Sequence, residues 1–248
     1  MRVSIKDFAK FYQSDLGKMV AELICEYTKA CWIDKPQKDL SNEDILGYGF
    51  SPPIISRLEI NSTRKINYVL QNEITEDALH LAENNWVIGE ETRTPFQDGQ
   101  FEKILCLSGL EESENPVRTL RELWRILSPE GSLILIVPNR RGVWARFDNS
   151  PFGQGRPFSR TQLLNLISES LFEVEIARRI LYAPPINHSI INKTCMNFEK
   201  MGEALWPTFG GLLFFELKKR VLIEPPTEKG RLFKPIQVPN ASLFSKQD

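Results

Sequence analysis

From Ser14 onward, Leu16, Met19, Val20, Leu23, Ile24 and Tyr27 recur at helical spacing, with Ser14 placed to cap the first turn. The pattern predicts an amphipathic helix over 14–31. Four short apolar runs come next: "ILGYG", "KINYVLQ", "WVIG" and "KILCLS". Runs this short and this uniformly apolar read as parallel strands buried on both faces. In "NPVRTLRELWRIL", Asn115 can cap, Pro116 suits the first helical position, and Leu120, Leu123, Trp124 and Leu127 share one face. Pro129-Glu130-Gly131 then turns the chain into "SLILIVP", the clearest strand of the sequence. Ser159 with Gln162 three residues on forms a capping box for a helix reaching about Leu171. Strands at 172–182 and 212–217 bracket one more helix near 190–206. Such alternation predicts an α/β, doubly wound sheet with helices on both faces.

Composition narrows the functional classes. With 248 residues, of which 42% are hydrophobic and 25% charged, the chain suits one large domain better than two. Residues 1–220 are expected to form it. The segment 187–209 reads as an insertion over the pocket, and 221–248 as a proline-rich tail. Leu232, Phe233, Ile236, Val238, Leu243 and Phe244 in that tail leave room for a protein partner. A net charge of -1 and the lack of a long basic stripe argue against nucleic acid. No apolar run approaches the roughly 20 residues that span a bilayer. Cys25, Cys31, Cys106 and Cys195 match neither a zinc site nor a redox pair, so no metal is expected. No basic-then-apolar signal opens the sequence, and reduced thiols in a cytoplasm are the simplest expectation.

One segment is more specific. In 90–139, Glu90, Pro95-Phe96, Phe101-Glu102 and Pro129-Glu130-Gly131 follow one another at set spacing. The segment resembles the class I S-adenosylmethionine-dependent methyltransferases, the small-molecule group in particular. There, an acid and a Pro-Phe segment lead to a Phe-Asp pair before strand four, and a Pro-Gly-Gly-like turn precedes strand five. The resemblance extends over about 16–217. It implies a Rossmann-like seven-stranded sheet of order 3-2-1-4-5-7-6 with strand seven antiparallel, and S-adenosylmethionine as cofactor.

The same resemblance assigns site residues. In this fold the ligand lies at the carboxyl ends of the strands, near the turn after "ILGYG". Relatives place an acid and three glycines there so that the backbone can approach the methionine end of the cofactor. Here Gly47 takes the acidic position, Tyr48 follows, Gly49 keeps the first glycine, and Phe50, Ser51, Pro52 and Pro53 replace the rest. Pro52 and Pro53 fit the first turn of a helix capped by Ser51. Gln71 stands where an acid would hold the ribose hydroxyls, Glu90 fits the acceptor for the adenine amino group, the backbone N–H of Glu91 lies next to it, and Ser108 follows strand four.

The loop after strand five carries Arg140, Arg141, Arg146 and Arg156 among Trp144, Phe147 and Phe152. In this architecture such a loop walls the acceptor pocket. Arg140, Arg141 and Trp144 suit an anionic or planar small-molecule acceptor, or else they are a loop pinned by aromatic packing. His188 is placed to reach the same cavity, and Glu112 occupies a position where relatives often carry a histidine. No base is obvious, which suits methyl transfer by positioning rather than by strong acid or base catalysis. The altered glycines support a second expectation, a non-catalytic binding or scaffold protein of the same fold. A nicotinamide-dependent dehydrogenase fits the Pro-Phe segment and the terminal antiparallel hairpin less well.

Overall fold

The computed structural model describes residues 5–33, 43–58, 67–70, 85–88, 92–147, 150–186 and 195–220. Two helices open the described chain, α1 (Ile5–Gln13) and α2 (Asp15–Trp32). Ser14 caps α2 by accepting from the Gly17 backbone N–H at 3.0 Å. The sequence pattern gives α2 to within a residue but not α1. There Phe8, Phe11 and Tyr12 supply an apolar face over barely two turns, too short a stretch for periodicity to identify.

Next come β1 (Ile45–Gly49), a single turn α3 (Pro52–Ile55), β2 (Asn67–Leu70), β3 (Asn85–Ile88) and β4 (Phe101–Leu107). They are followed by α4 (Pro116–Ile126), β5 (Leu127–Pro138), α5 (Arg160–Glu169), β6 (Phe172–Ile180), α6 (Cys195–Leu205) and β7 (Leu212–Lys219). The strands form one sheet of order β3-β2-β1-β4-β5-β7-β6. Pairs from β3 through β5 are parallel, whereas β7 runs antiparallel to both β5 and β6. The terminal hairpin therefore sits where the resemblance places it.

Each central strand is buried on both faces, which is why its sequence reads as a continuous apolar run. Leu105, Leu107, Ile134, Ile136, Leu212 and Phe214 face one core, shared with α1, α2 and α3. Ile104, Cys106, Leu133, Leu135, Leu213 and Phe215 face the other, shared with α4 and α5. Burying a leucine or phenylalanine this way stabilises the fold by about 1.5–3 kcal/mol per side chain. Asn115 caps α4 with Pro116 in its first turn, and Ser159 and Gln162 close the capping box of α5.

Two local expectations are corrected. β5 starts at Leu127, so Pro129-Glu130-Gly131 lies within the strand. A register shift between Phe101 and Lys103 absorbs the irregularity on the paired strand. Ser51 stands at the N-cap position of α3 but makes no capping hydrogen bond, because its backbone is already helical (φ -93°, ψ -14°). Residues 187–194 of the expected insertion, and the whole tail from 221, lie outside the described residues. Among the described residues, no helix is long and apolar enough to cross a membrane.

Candidate functional site

Parallel pairing sets the carboxyl ends of β1 and β4 side by side, with Gly49 opposite Leu107. Gly49 leaves the strand at φ +72°, a conformation that favours glycine. A Cβ there would stand 2.3 Å from the Leu107 carbonyl oxygen and 2.9 Å from the Gly109 backbone nitrogen. The glycine is therefore demanded by the chain's own close approach. Gly47, by contrast, is inside β1, paired with Tyr68 and Leu105. Tyr48 is fully buried toward the α4 and α5 core, where its ring lies against Gly109.

Phe50 fills the space above the turn. Its ring is stacked on Phe8 (centroids 4.9 Å, planes 19° apart) and on Tyr12 (5.7 Å, 17°), so α1 covers the turn with aromatic surface. Phe11 extends this surface edge-on to Trp144 and Phe152. Trp144 is buried and donates its indole N–H to the Ala183 carbonyl at 2.8 Å. It is a packing residue that carries the wall of the site.

Within this apolar shell stand polar atoms that make no hydrogen bond among the described residues: Tyr12 OH, Ser51 Oγ, Ser108 Oγ and Glu111 Oε2. Each belongs to a buried residue. Native proteins rarely leave such atoms unpaired, since each costs about 1–3 kcal/mol. Ser108 also holds positive φ (52°), an uncommon conformation for a serine, at the first residue beyond β4. Burial pushes the Glu111 carboxyl up to about 8, against the pull of its own backbone N–H; Glu112 adds to the rise, while the nearby Ser108 hydroxyl and the Leu110 backbone N–H lower it.

On the β3 side, the Glu122 carboxylate accepts from both the backbone N–H and the hydroxyl of Thr94. Burial opposes its ionisation, but the hydrogen bonds from Arg125 and Thr94 outweigh it and hold its pKa below the ordinary value. Arg125 in turn donates to the carbonyls of Phe96 and Thr94, fixing the segment before β4 to α4.

The loop after β5 is anchored by Asn139, whose amide donates to the carbonyls of Thr208 and Gly210. Arg140 donates to the Pro157 carbonyl at 3.2 Å, while the Arg141 backbone N–H donates to the Asn139 side chain. Both arginine side chains are exposed. Arg140 lines an open cleft of about 390 Å³ together with Glu111, Arg156, Gln162 and Asn165.

The structure thus brings together Gly49 and Ser108, places Gly47 and Tyr48 in the sheet, and leaves Arg140 and Arg141 on the outer rim. Gln71, Glu90, Glu91 and His188 lie outside the described residues. Sequence reasoning missed Tyr12, Ser51 and Glu111 as orphaned polar groups. Glu111 opens the acidic run "EESEN", which reads as solvated, and only its place beyond an apolar strand hinted otherwise. Glu112, the neighbour considered from sequence, is half-buried.

These residues fit the cofactor that the resemblance implies through their orphaned groups. The hydroxyls of Ser51 and Ser108 are free to pair with a polar ligand, and the backbone turns tightly beside them. The missing glycines are replaced by the Phe50 stack.

Residues 47–135 match the family model for the methyltransferase domain. No curated protein sequence matches the chain. Among solved structures, a protein of Thermotoga maritima described as a methyltransferase dependent on S-adenosylmethionine, possibly a histamine N-methyltransferase, is similar at 16% identity. The match covers 88% of this chain and 96% of that one, with a TM-score of 0.62. A Haloferax volcanii methyltransferase solved with its Trm112 activator shares 13% identity over 86% of this chain and 98% of that one (TM-score 0.59). Geranyl diphosphate C-methyltransferase of Streptomyces coelicolor, solved with S-adenosylhomocysteine, shares 12% over 79% and 76% (TM-score 0.55).

Proposed function

We propose that this chain, whose residues 47–135 match the methyltransferase domain, is a class I S-adenosylmethionine-dependent methyltransferase that transfers a methyl group from that cofactor to a small-molecule acceptor. The observation that carries this reading is the set of buried, unbonded polar atoms of Ser51, Ser108 and Glu111 at the carboxyl ends of β1 and β4. An open α/β sheet binds its ligand at that edge. When bound, S-adenosylmethionine supplies a methyl carbon made electrophilic by its sulfonium.

The chain's own residues supply position and dryness. Ser51 and Ser108 would hold the polar end of the cofactor, and Gln71, Glu90 and Glu91 its adenosine end. Phe8, Phe11, Tyr12, Phe50, Trp144 and Phe152 exclude water from the space above the turn. Aligning the reacting groups in such a site is worth several kcal/mol of barrier without an acid or base. The Thr94-Glu122-Arg125 network keeps the adenosine-side segment in register with α4.

A second reading has its own support. Phe50, stacked between Phe8 and Tyr12, occupies the position of a family glycine, as expected of a non-catalytic binding protein. Incubation with methyl-labelled S-adenosylmethionine and fractionated small-molecule extract decides between them. Methyl transfer predicts label on an acceptor together with S-adenosylhomocysteine release from at least one fraction. Cofactor binding with no turnover in any fraction favours the binding protein.

A further inference from the structure

The loops after β4 and β5 are laced together by backbone hydrogen bonds. The Arg140 N–H donates to the Phe158 carbonyl at 2.9 Å, the Phe158 N–H to the Pro138 carbonyl at 3.1 Å, and the Arg156 N–H to the Glu111 carbonyl at 3.3 Å. This lacing sets Arg140 and Arg156 on one cleft of about 390 Å³, a volume within the range of small-molecule sites, about 300–1,000 Å³. One wall is a face of α5, where Gln162, Asn165, Leu166 and Glu169 recur at three- and four-residue spacing. Leu110, Pro116, Pro157 and Phe158 add apolar surface. Ser51 and Ser108, assigned above to the cofactor, are not among its walls.

Donors prevail over acceptors in this cleft. Among the described residues neither Arg140 nor Arg156 pairs with a carboxylate, and Arg140 makes a single side-chain bond, from Nε to the Pro157 carbonyl at 3.2 Å. Gln162 accepts the Ser159 N–H on its side-chain oxygen, which leaves its NH₂ end as a donor. Two acids also border the space. Glu111 is buried, and burial pushes its carboxyl up to about 8, so at pH 7 it is largely uncharged. Glu169 is exposed. Two guanidinium charges therefore face one carboxylate.

We propose that this cleft is a second ligand site, which takes a small monocarboxylate with an apolar body. The guanidinium forks of Arg140 and Arg156 match a carboxylate in geometry and charge, and the Gln162 and Asn165 amides add neutral donors. A single excess positive charge complements a monoanion better than a phosphate dianion. The apolar walls take the rest of the molecule. An amine would meet the two arginines as a like charge. The pairing differs from the one expected along the chain, where Arg140 stands with Arg141 and Trp144. Trp144 is buried in the core on the α1 and α2 face of the sheet, whereas Leu110, Leu166 and Phe158 of the cleft pack on the α4 and α5 face. The site stands on its own observations and does not depend on the methyl-transfer reading.

The test is calorimetric titration of the full chain at pH 7 with 2-naphthoate. The comparison compounds are 2-naphthamide, which lacks the charge, acetate, which lacks the apolar body, and 2-naphthyl phosphate, the dianion. Naphthoate should bind saturably, about tenfold more tightly than the amide or acetate and more tightly than the phosphate. Arg140→Gln and Arg156→Gln, both at exposed positions and checked for folding by circular dichroism, should each lose about tenfold in naphthoate affinity. Arg141→Gln, exposed beside the cleft but not lining it, should bind naphthoate as the parent does. Glu169→Gln removes the opposing charge and should bind it more tightly, a gain that loss of structure does not produce. No saturable binding of naphthoate by the folded parent, equal binding of naphthoate and naphthamide, or tighter binding of the phosphate overturns the proposal. An equal loss in Arg141→Gln, or displacement of naphthoate by S-adenosylhomocysteine, overturns it as well, the first by showing a diffuse surface charge and the second by placing naphthoate in the cofactor site.

Discussion

The rings of Phe8 and Phe50 lie nearly parallel, their centroids 4.9 Å apart and their planes at 19°. Through this contact the N-terminal helix covers the turn where the cofactor is expected. Phe8→Ala removes one side of the stack from a buried position, and truncating a core phenylalanine costs about 3–5 kcal/mol. In a domain of this size that lowers Tm by roughly 6–20 °C. Thermal unfolding measures it; an unchanged Tm would mean that α1 does not hold down the turn.

Gly49 makes a second, independent demand on the same turn. With φ at +72° and a Cβ position 2.3 Å from the Leu107 carbonyl oxygen, Gly49→Ala strains the backbone and pushes β1 from β4. We expect a loss of about 1–3 kcal/mol, visible as a lower denaturant midpoint. The substitution thus reports on folding as well as on binding, and a midpoint equal to that of the parent refutes the packing assignment.

Much of this was legible before any coordinates. The β-strand runs and three of the four expected helix caps follow from periodicity and capping signals, because buried strands and capped helices leave local signatures, whereas the antiparallel position of β7 comes with the family resemblance. The site was less so. Ser108 and Gly49 are adjacent only through the β1–β4 pairing, and Phe50 meets Phe8 and Tyr12 only through the fold of α1 onto the turn. Long-range contacts of this kind leave no spacing to read. Trp144 looked like an acceptor contact because it lies among arginines, yet its indole is spent on the Ala183 carbonyl.

Tyr12→Phe should stabilise the protein. The phenol oxygen is buried without a hydrogen bond, and burial pushes its pKa far above the ordinary tyrosine value, so it stays neutral. Removing such an atom while keeping the ring relieves a desolvation cost on the order of 1 kcal/mol. A rise in the unfolding midpoint is expected, and a fall would show that the hydroxyl has a structural partner.

Glu111 makes stability depend on pH in a defined window. Its folded pKa, about 8, stands above the ordinary 4.5. The unfolded state therefore releases this proton first, so stability is fully present below about 4.5 and is lost as pH rises toward 8. The loss is on the order of a few kcal/mol for a carboxyl this deeply buried. Denaturant unfolding at several pH values should show the parent weakening across that window and Glu111→Gln changing less. Identical pH profiles for the two proteins would remove the assignment.

The central claim is that the edge formed by β1 and β4 holds S-adenosylmethionine even though Phe50 and Ser51 stand where relatives carry glycine. Calorimetric titration of the folded parent with S-adenosylhomocysteine tests it most directly. The account predicts saturable binding of one molecule per chain, weakened about tenfold in Ser108→Ala, since one charge-assisted hydrogen bond is worth about 1.5 kcal/mol and 1.4 kcal/mol is one decade. Absence of heat from the folded parent at millimolar ligand would contradict it.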